Sequence, residues 1–227
     1  MAFPRSTDTT TRELVVLDFE TTGLTAAYDR IIEVAATRLL DHEPVETFHQ
    51  LMHPGMRLPS IITSITGITE AMLQGQPRPE QVMPRLHAFV RGLPIVAHNA
   101  SFDQGFLRAE LARVGLSLES EFLCTMRLAR RLAPGLPSYR LDALVDGLRV
   151  RAPATRQFHR AVADVNHTIA IWRCLHTRFI EHTGIATPPV RLLGTLMRKP
   201  KKIVPTYLEA LRSGRAKDHP SRSPGKS

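Results

Sequence analysis

The chain has 227 residues, a formal net charge of +9, 43% hydrophobic residues and two cysteines, Cys124 and Cys174. This composition is typical of a globular protein, and the absence of a CxxC pair excludes a disulfide framework and a cysteine zinc site. No apolar run is long enough to span a bilayer, and the polar N-terminus lacks the apolar region of a signal peptide, so we expect a cytoplasmic protein without membrane contact.

The positive charge is concentrated near the C-terminus. Residues 184–227 hold ten Lys or Arg against two acidic residues, whereas residues 1–183 have a net charge of +1. A neutral body followed by a basic segment is a common arrangement for binding a polyanion, although a solvated tail that only aids solubility has the same pattern. We therefore predict one domain over 12–183 and a basic, Pro-containing tail over 184–227 that is partly disordered.

Three short apolar segments predict strands at the start of the chain. Residues 14–19 are apolar and partly β-branched, and similar segments follow at 31–40 and 46–52. Their close spacing favours antiparallel pairing in a meander.

Further along the chain, helical spacing alternates with short apolar segments. Strands are predicted at 94–98 and 122–124, and a short amphipathic helix is predicted in the tail at 206–217. A meander followed by strand–helix alternation predicts an α/β fold with helices packed on a mixed sheet. The other predicted helices cover 65–73, 80–91, 102–114, 125–132, 138–147 and 161–182.

Asp18 and Glu20 end the first apolar strand. Residues two apart on a strand point to the same face, so the two carboxylates are expected to lie side by side. Their repulsion is relieved by a divalent cation such as Mg²⁺ or Mn²⁺, which prefers carboxylate oxygens. If the strand instead ends at Leu17, both side chains are ordinary solvated loop residues.

Asp103 follows the strand at 94–98 and opens the next helix, with His98 and Asn99 just ahead of it. Strand ends of this kind are where α/β proteins gather functional residues. An acidic residue in the first turn of a helix also interacts favourably with the helix dipole, and this alternative explains Asp103 without any function.

His159 and Asp164 are five residues apart near the start of the longest predicted helix. A helix that begins near Ala161 places Asp164 in its first turn and His159 just before it. A histidine with an ordinary pKa near ~6.5 accepts protons at neutral pH, which suits a general base. An isolated histidine is nevertheless more often structural or surface-exposed.

Three motifs occur in a fixed order: DFETTGL at 18–24, HNASFD at 98–103 and HRAVAD at 159–164. Together they resemble the DEDDh family of 3′–5′ exonucleases, and within it the proofreading epsilon subunit of bacterial DNA polymerase III and its free-standing relatives. IIEVAA at 31–36 and YRLDAL at 139–144 support a resemblance over roughly residues 12–182. Arg160 occupies the position where the sister branch carries a tyrosine, so the chain resembles the histidine branch.

The resemblance implies a ribonuclease H-like fold, with a mixed five-stranded sheet flanked by helices. It also implies hydrolysis of phosphodiester bonds at the 3′ end of single-stranded or frayed DNA, with release of nucleoside 5′-monophosphates and two Mg²⁺ or Mn²⁺ ions per active site. The implied general base is His159. The implied metal-binding residues are Asp18, Glu20, Asp103 and Asp164. The implied substrate-binding residues are Thr21, Thr22, Gly23, Ile68, His98, Asn99 and Phe102.

Two other functions are consistent with the same motifs. One is a 3′–5′ exoribonuclease or small-RNA trimming enzyme, because related families share the same five residues. The other is a non-catalytic module that binds nucleic acid or a polymerase through its basic tail. A role as a DNA polymerase subunit is a further implication, but the glutamine-led motif that docks on a sliding clamp is absent, because residues 184–227 contain no glutamine.

Overall fold

The computed structural model describes residues 9–151 and 159–215. Its strands are β1 Glu13–Thr21, β2 Ile31–Leu40, β3 Glu43–Leu51, β4 Ile95–Ala97 and β5 Phe122–Cys124. They form one five-stranded sheet in the order β3-β2-β1-β4-β5. The first three strands pair antiparallel, whereas β4 runs parallel to β1 and β5 runs parallel to β4. The predicted meander and the mixed five-stranded sheet are therefore confirmed.

The helices are α1 Ser60–Thr66, α2 Glu70–Leu73, α3 Pro79–Val90, α4 Ser101–Arg113, α5 Thr125–Leu132, α6 Leu141–Gly147, α7 Ala161–Thr183, α8 Val190–Arg198 and α9 Val204–Arg212. The prediction of one helix over 65–73 was wrong, because α1 ends at Thr66 and α2 begins at Glu70. Gly67 separates them in the left-handed region, with φ 71°. None of the helices in the described part of the chain has the length and apolar character needed to cross a membrane.

Two apolar layers cover the two faces of the sheet. Val15 and Leu17 of β1 pack with α3 and α4 on one face. Leu14 and Val16 pack on the other face with the helices from α5 to α9. Because side chains alternate along a strand, the carboxylates at the end of β1 continue the face that α7 covers.

Residues 190–212 of the predicted tail are folded onto the domain. α8 and α9 place Leu193, Leu196 and Leu208 in the same core as α5 and α7. Pro189 also pairs with Thr10, next to the start of β1. The segment packs on the body because its helices have apolar faces, which the charge count alone does not reveal. Residues 216–227, the last part of the predicted tail, lie outside the described residues.

Candidate active site

Three carboxylates come together at the C-terminal end of β1, the central strand of the sheet. Asp18 and Glu20 extend from the same face of β1, as predicted, and Asp164 lies in the first turn of α7, which packs on that face. One oxygen from each of the three side chains lies within 4.8 Å of the others. Such spacing allows one divalent cation to contact all three residues.

Asp103 joins the same cavity from the other layer. It lies in the first turn of α4, whose apolar residues pack on the opposite face of the sheet. Its side chain is buried and lines a cavity of about 490 Å³ together with Asp18, Glu20, His159 and Asp164. The structure therefore brings all five predicted catalytic and metal-binding residues to one cavity.

His159 lies at the mouth of this cavity, just before α7. Its side chain is exposed, and its backbone has a φ of 64°, which is uncommon for a residue other than glycine. The backbone N–H of His159 donates a hydrogen bond to Asp164 Oδ2 at 3.2 Å. This bond ties the backbone of the candidate base to one of the candidate metal-binding carboxylates.

Glu33 of β2 holds the start of α7 against the sheet. Its buried carboxylate accepts hydrogen bonds from the guanidinium of Arg160 and, at 3.1 Å, from the backbone N–H of Ala161. Burial alone would raise the pKa of Glu33, but hydrogen bonds from His49, Arg160 and Ala161 lower it to about 2. A permanently ionised Glu33 therefore satisfies a backbone N–H that the helix itself leaves unpaired.

The four carboxyls proposed as metal ligands, which line the cavity, have raised pKa values instead. Burial, followed by repulsion from neighbouring carboxylates, raises the pKa of Asp18 well above its usual value and that of Glu20 to about 8. Burial is also the main reason that the pKa of Asp103 is raised to about 8 and that of Asp164 to about 7. Four ionised carboxylates are thus unfavourable in this cavity unless positive charge accompanies them.

The donor set fits a divalent metal ion. Asp164 Oδ1 is buried and has no hydrogen-bond partner in the described part of the chain, while Oδ2 is held by His159. Hard carboxylate oxygens of this kind are the ligands that Mg²⁺ and Mn²⁺ prefer. The residues that could hold such a cation are Asp18, Glu20, Asp103 and Asp164.

The predicted substrate-binding residues divide into two groups. His98, Asn99 and Phe102 line the cavity, and burial lowers the pKa of His98 to about 4, so its ring is neutral at pH 7. The remaining four do not line it. Ile68 is buried in a separate apolar cluster with Ile32 and Leu73, so its side chain is covered by other apolar residues.

The other three residues of the second group are the last residue of β1 and the first two of the turn that follows it. The Thr21 hydroxyl donates a hydrogen bond to the Gly23 carbonyl, and the Thr22 hydroxyl donates one to Asp29 at 3.1 Å. Both hydroxyls are used within the turn. Contact between this turn and a substrate stays a prediction.

The sequence motifs missed part of the cavity wall. A second wall comes from α5 and the start of α6 and consists of Met126, Arg140, Leu141 and Asp142. Three of these four residues belong to the YRLDAL segment at 139–144, which also supports the family resemblance.

Carboxylates clustered at the end of the central strand, beside an exposed histidine, are typical of a metal-assisted hydrolytic site. The model of the exonuclease family matches residues 15–172, and the chain belongs to this family. The cavity is therefore the candidate nuclease active site of an exonuclease domain.

Similar sequences occur within much longer proteins. The PolC-type DNA polymerase III of Caldanaerobacter subterraneus subsp. tengcongensis is 38% identical over 160 residues, which cover 70% of this chain and 11% of that protein. The PolC-type DNA polymerase III of Halalkalibacterium halodurans is 40% identical over 163 residues, covering 71% of this chain and 11% of that protein. The matched region is thus a small part of each relative.

Solved structures share the fold. Exonuclease X, in complex with 5′ overhanging duplex DNA, has a TM-score of 0.61 and 29% identity, covering 81% of this chain and 99% of that chain. Exonuclease I has a TM-score of 0.63 and 24% identity, covering 74% of this chain and 41% of that chain. The second likeness supports the fold alone, whereas the first extends over nearly the whole of a chain whose structure is of a complex with DNA.

Proposed function

We propose that the protein is a metal-dependent 3′–5′ exonuclease that removes nucleoside 5′-monophosphates from single-stranded or frayed DNA ends. The observation that carries this proposal is the clustering of three carboxylates: oxygens of Asp18, Glu20 and Asp164 lie within 4.8 Å of one another. Asp103 and His159 line the same cavity. A non-catalytic binding module has no need for buried carboxylates that raise the pKa values of one another.

The chain's own residues have distinct roles in this reaction. Asp18, Glu20, Asp103 and Asp164 hold two Mg²⁺ or Mn²⁺ ions, which when bound supply positive charge to the scissile phosphate and to the leaving oxygen. His159 takes the proton of the attacking water at a ring nitrogen, and its exposed position allows that proton to pass to solvent. The Asp164 carboxylate keeps the His159 backbone beside the cavity.

The cavity suits one terminal nucleotide. Its volume of about 490 Å³ falls within the range of roughly 300–1,000 Å³ that is common for small-molecule sites. Phe102, Met126 and Leu141 offer apolar surface for a base, and His98 and Asn99 offer polar groups for the sugar or phosphate. A base paired in a duplex cannot be surrounded in this way, so the substrate must be single-stranded or frayed at its end.

DNA is favoured over RNA as the substrate because the similar proteins are a DNA polymerase and an exonuclease bound to DNA. PolC-type DNA polymerase III and exonuclease X in complex with DNA both point to DNA. The PolC relatives also favour an association with a DNA polymerase, although the chain covers only 11% of their length. Docking on a sliding clamp is not part of the proposal, because residues 184–227 contain no glutamine.

The test is digestion of a 5′-labelled single-stranded DNA oligonucleotide in the presence of Mg²⁺. We expect stepwise shortening from the 3′ end, and loss of shortening in Asp18→Asn and His159→Ala. Glu181→Gln is the matched control, because Glu181 lies on α7 with Asp164 but is exposed far from the cavity. Shortening that persists in both site variants would overturn the proposal, and faster digestion of a matched RNA strand would replace DNA by RNA as the substrate.

A further inference from the structure

Six basic side chains form a strip that begins beside the cavity. The strip combines one helix of the nuclease body with the segment that was predicted as a tail. Its members are Arg127, Arg130 and Arg131 of α5 and Lys199, Lys201 and Lys202, which follow α8.

The first end of the strip adjoins the cavity wall. Met126 lines the cavity, and Arg130 lies four residues later, on the same side of α5. The Arg130 guanidinium lies 5.6 Å from the centre of the Tyr139 ring. Arg140, which follows Tyr139 in the chain, lines the cavity. Of the six residues of the strip, Arg130 is therefore the first that a polymer leaving the cavity along this wall would meet.

The strip continues from α5 to the C-terminal end of α8. Arg131 donates hydrogen bonds from Nε and Nη2 to the Lys199 carbonyl, at 3.3 and 3.2 Å. The Lys199 ammonium lies 4.9 Å from the centre of the Tyr207 ring, and Lys201 and Lys202 are exposed in the turn that follows. These contacts hold both halves of the strip in one place.

Within residues 9–151 and 159–215, none of the six side chains forms an ion pair with an acidic residue. Arginines elsewhere behave differently: Arg30 pairs with Glu80 and Glu110, and Arg173 pairs with Glu43. Crowded like charges without counter-ions repel one another, and a polyanion removes that repulsion.

We propose that this basic strip binds the phosphates of the DNA strand on the 5′ side of the terminal nucleotide. The inference rests on the proposed function, since the strand is the one whose 3′ end occupies the cavity. The strip contacts the backbone only, so it increases affinity for long strands without sequence preference and does not take part in the chemistry.

The experiment compares a long and a short substrate. The strip variant is Arg127→Gln with Lys201→Gln and Lys202→Gln, all exposed positions. The matched control is Arg57→Gln with Arg91→Gln and Arg108→Gln, three exposed arginines outside the strip. Each protein is assayed on a single-stranded DNA 20-mer and on a dinucleotide, which is too short to reach from the cavity along the strip.

For the strip variant we expect kcat/KM on the 20-mer to fall about 10-fold at moderate salt, through KM. The slope of log kcat/KM against log salt should become shallower by about 2, because each phosphate contact on a single strand contributes roughly 0.7. Dinucleotide hydrolysis should stay unchanged, which also shows that the variant is folded.

The failures of the two proposals are distinguishable. A wild-type protein that hydrolyses neither substrate contradicts the proposed function. A wild-type protein that hydrolyses both, with a strip variant that matches the control variant, overturns the strip alone. An equal loss on the dinucleotide also overturns it, because the effect would then lie in the cavity.

Discussion

Arg160, just before α7, and Glu33, near the start of β2, form a bidentate ion pair. Arg160 Nη2 lies 3.0 Å from Glu33 Oε1, and Nε lies 3.2 Å from Oε2. Glu33 is also the cross-strand neighbour of Glu20, on the same face of the sheet, so the ion pair lies beside the candidate metal-binding residues. Since Arg160 follows His159 in the chain, this pair sets where the histidine backbone enters the site.

We expect Arg160→Ala to lower kcat by about 10-fold, because the segment that carries His159 loses its anchor on β2. This loss is smaller than the full contribution of a general base, since His159 itself is still present. Arg160→Lys should restore only part of the loss, because an ammonium cannot make the two-pronged contact. Steady-state kinetics on a single-stranded oligonucleotide measures both effects.

A double-mutant cycle separates positioning from general damage. In a His159→Ala background, Arg160→Ala should have little further effect on kcat, because the histidine that it positions is gone. An equal loss in both backgrounds would contradict a role that acts through His159.

Metal binding can be measured without any substrate. We expect Asp164→Asn to weaken Mn²⁺ binding at least about 100-fold, since even residues outside the ligand shell change metal affinity by about 10–100-fold. Titration calorimetry of the protein alone gives the affinity. Glu181→Gln, on the exposed side of the same helix, should bind Mn²⁺ as the wild type does, and so should Asp164→Asn if the cavity is not a metal site.

The raised carboxyl pKa values predict how the metal-free protein responds to pH. The pKa of Glu20 and of Asp103 is raised to about 8, whereas unfolded carboxyls titrate near ~4. At neutral pH the folded state therefore keeps protons that the unfolded state has lost, and the free energy of unfolding falls as the pH rises through about 8. His98 does not interfere above pH 7, because its pKa is lowered to about 4.

In EDTA we expect the wild type to lose at least about 1.4 kcal/mol of stability between pH 7 and 8.5. That loss corresponds to a melting temperature lower by roughly 3–6 °C. Glu20→Gln should show a shallower decline, and Mg²⁺ should raise the melting temperature more at pH 8.5 than at pH 7. Stability in EDTA that rises over this interval would contradict the assignment of these protonated carboxyls.

The packing of α8 predicts that it is required for stability. Leu196 is buried in the apolar core that α8 shares with α5 and β5, so Leu196→Ala should lower the free energy of unfolding by about 2–5 kcal/mol. Ile203→Ala, at a position that is 42% exposed, should cost less than about 1 kcal/mol. Chemical denaturation measures both, and similar small values would show that α8 is a dispensable appendage.

Local pattern was sufficient for much of the fold. The apolar run before Asp18, the alternation that puts Asp18 and Glu20 on one face, and the start of α7 at Ala161 all follow from near neighbours in the chain. The helix break at Gly67 escaped the pattern because apolar spacing continues on both sides of it. The motifs also named the five residues that line one cavity.

Contacts between distant segments decided the rest. The pairing of Glu33 with Arg160, the burial of Ile68 away from the cavity and the meeting of Arg131 with Lys199 join residues that no periodicity connects. The sequence by itself determined which side chains are the candidate site residues and near which strand or helix each of them lies. Only the tertiary structure decided which carboxylates share a cavity and which part of the basic segment packs beside it, because those contacts depend on how the apolar faces of the whole chain are buried together.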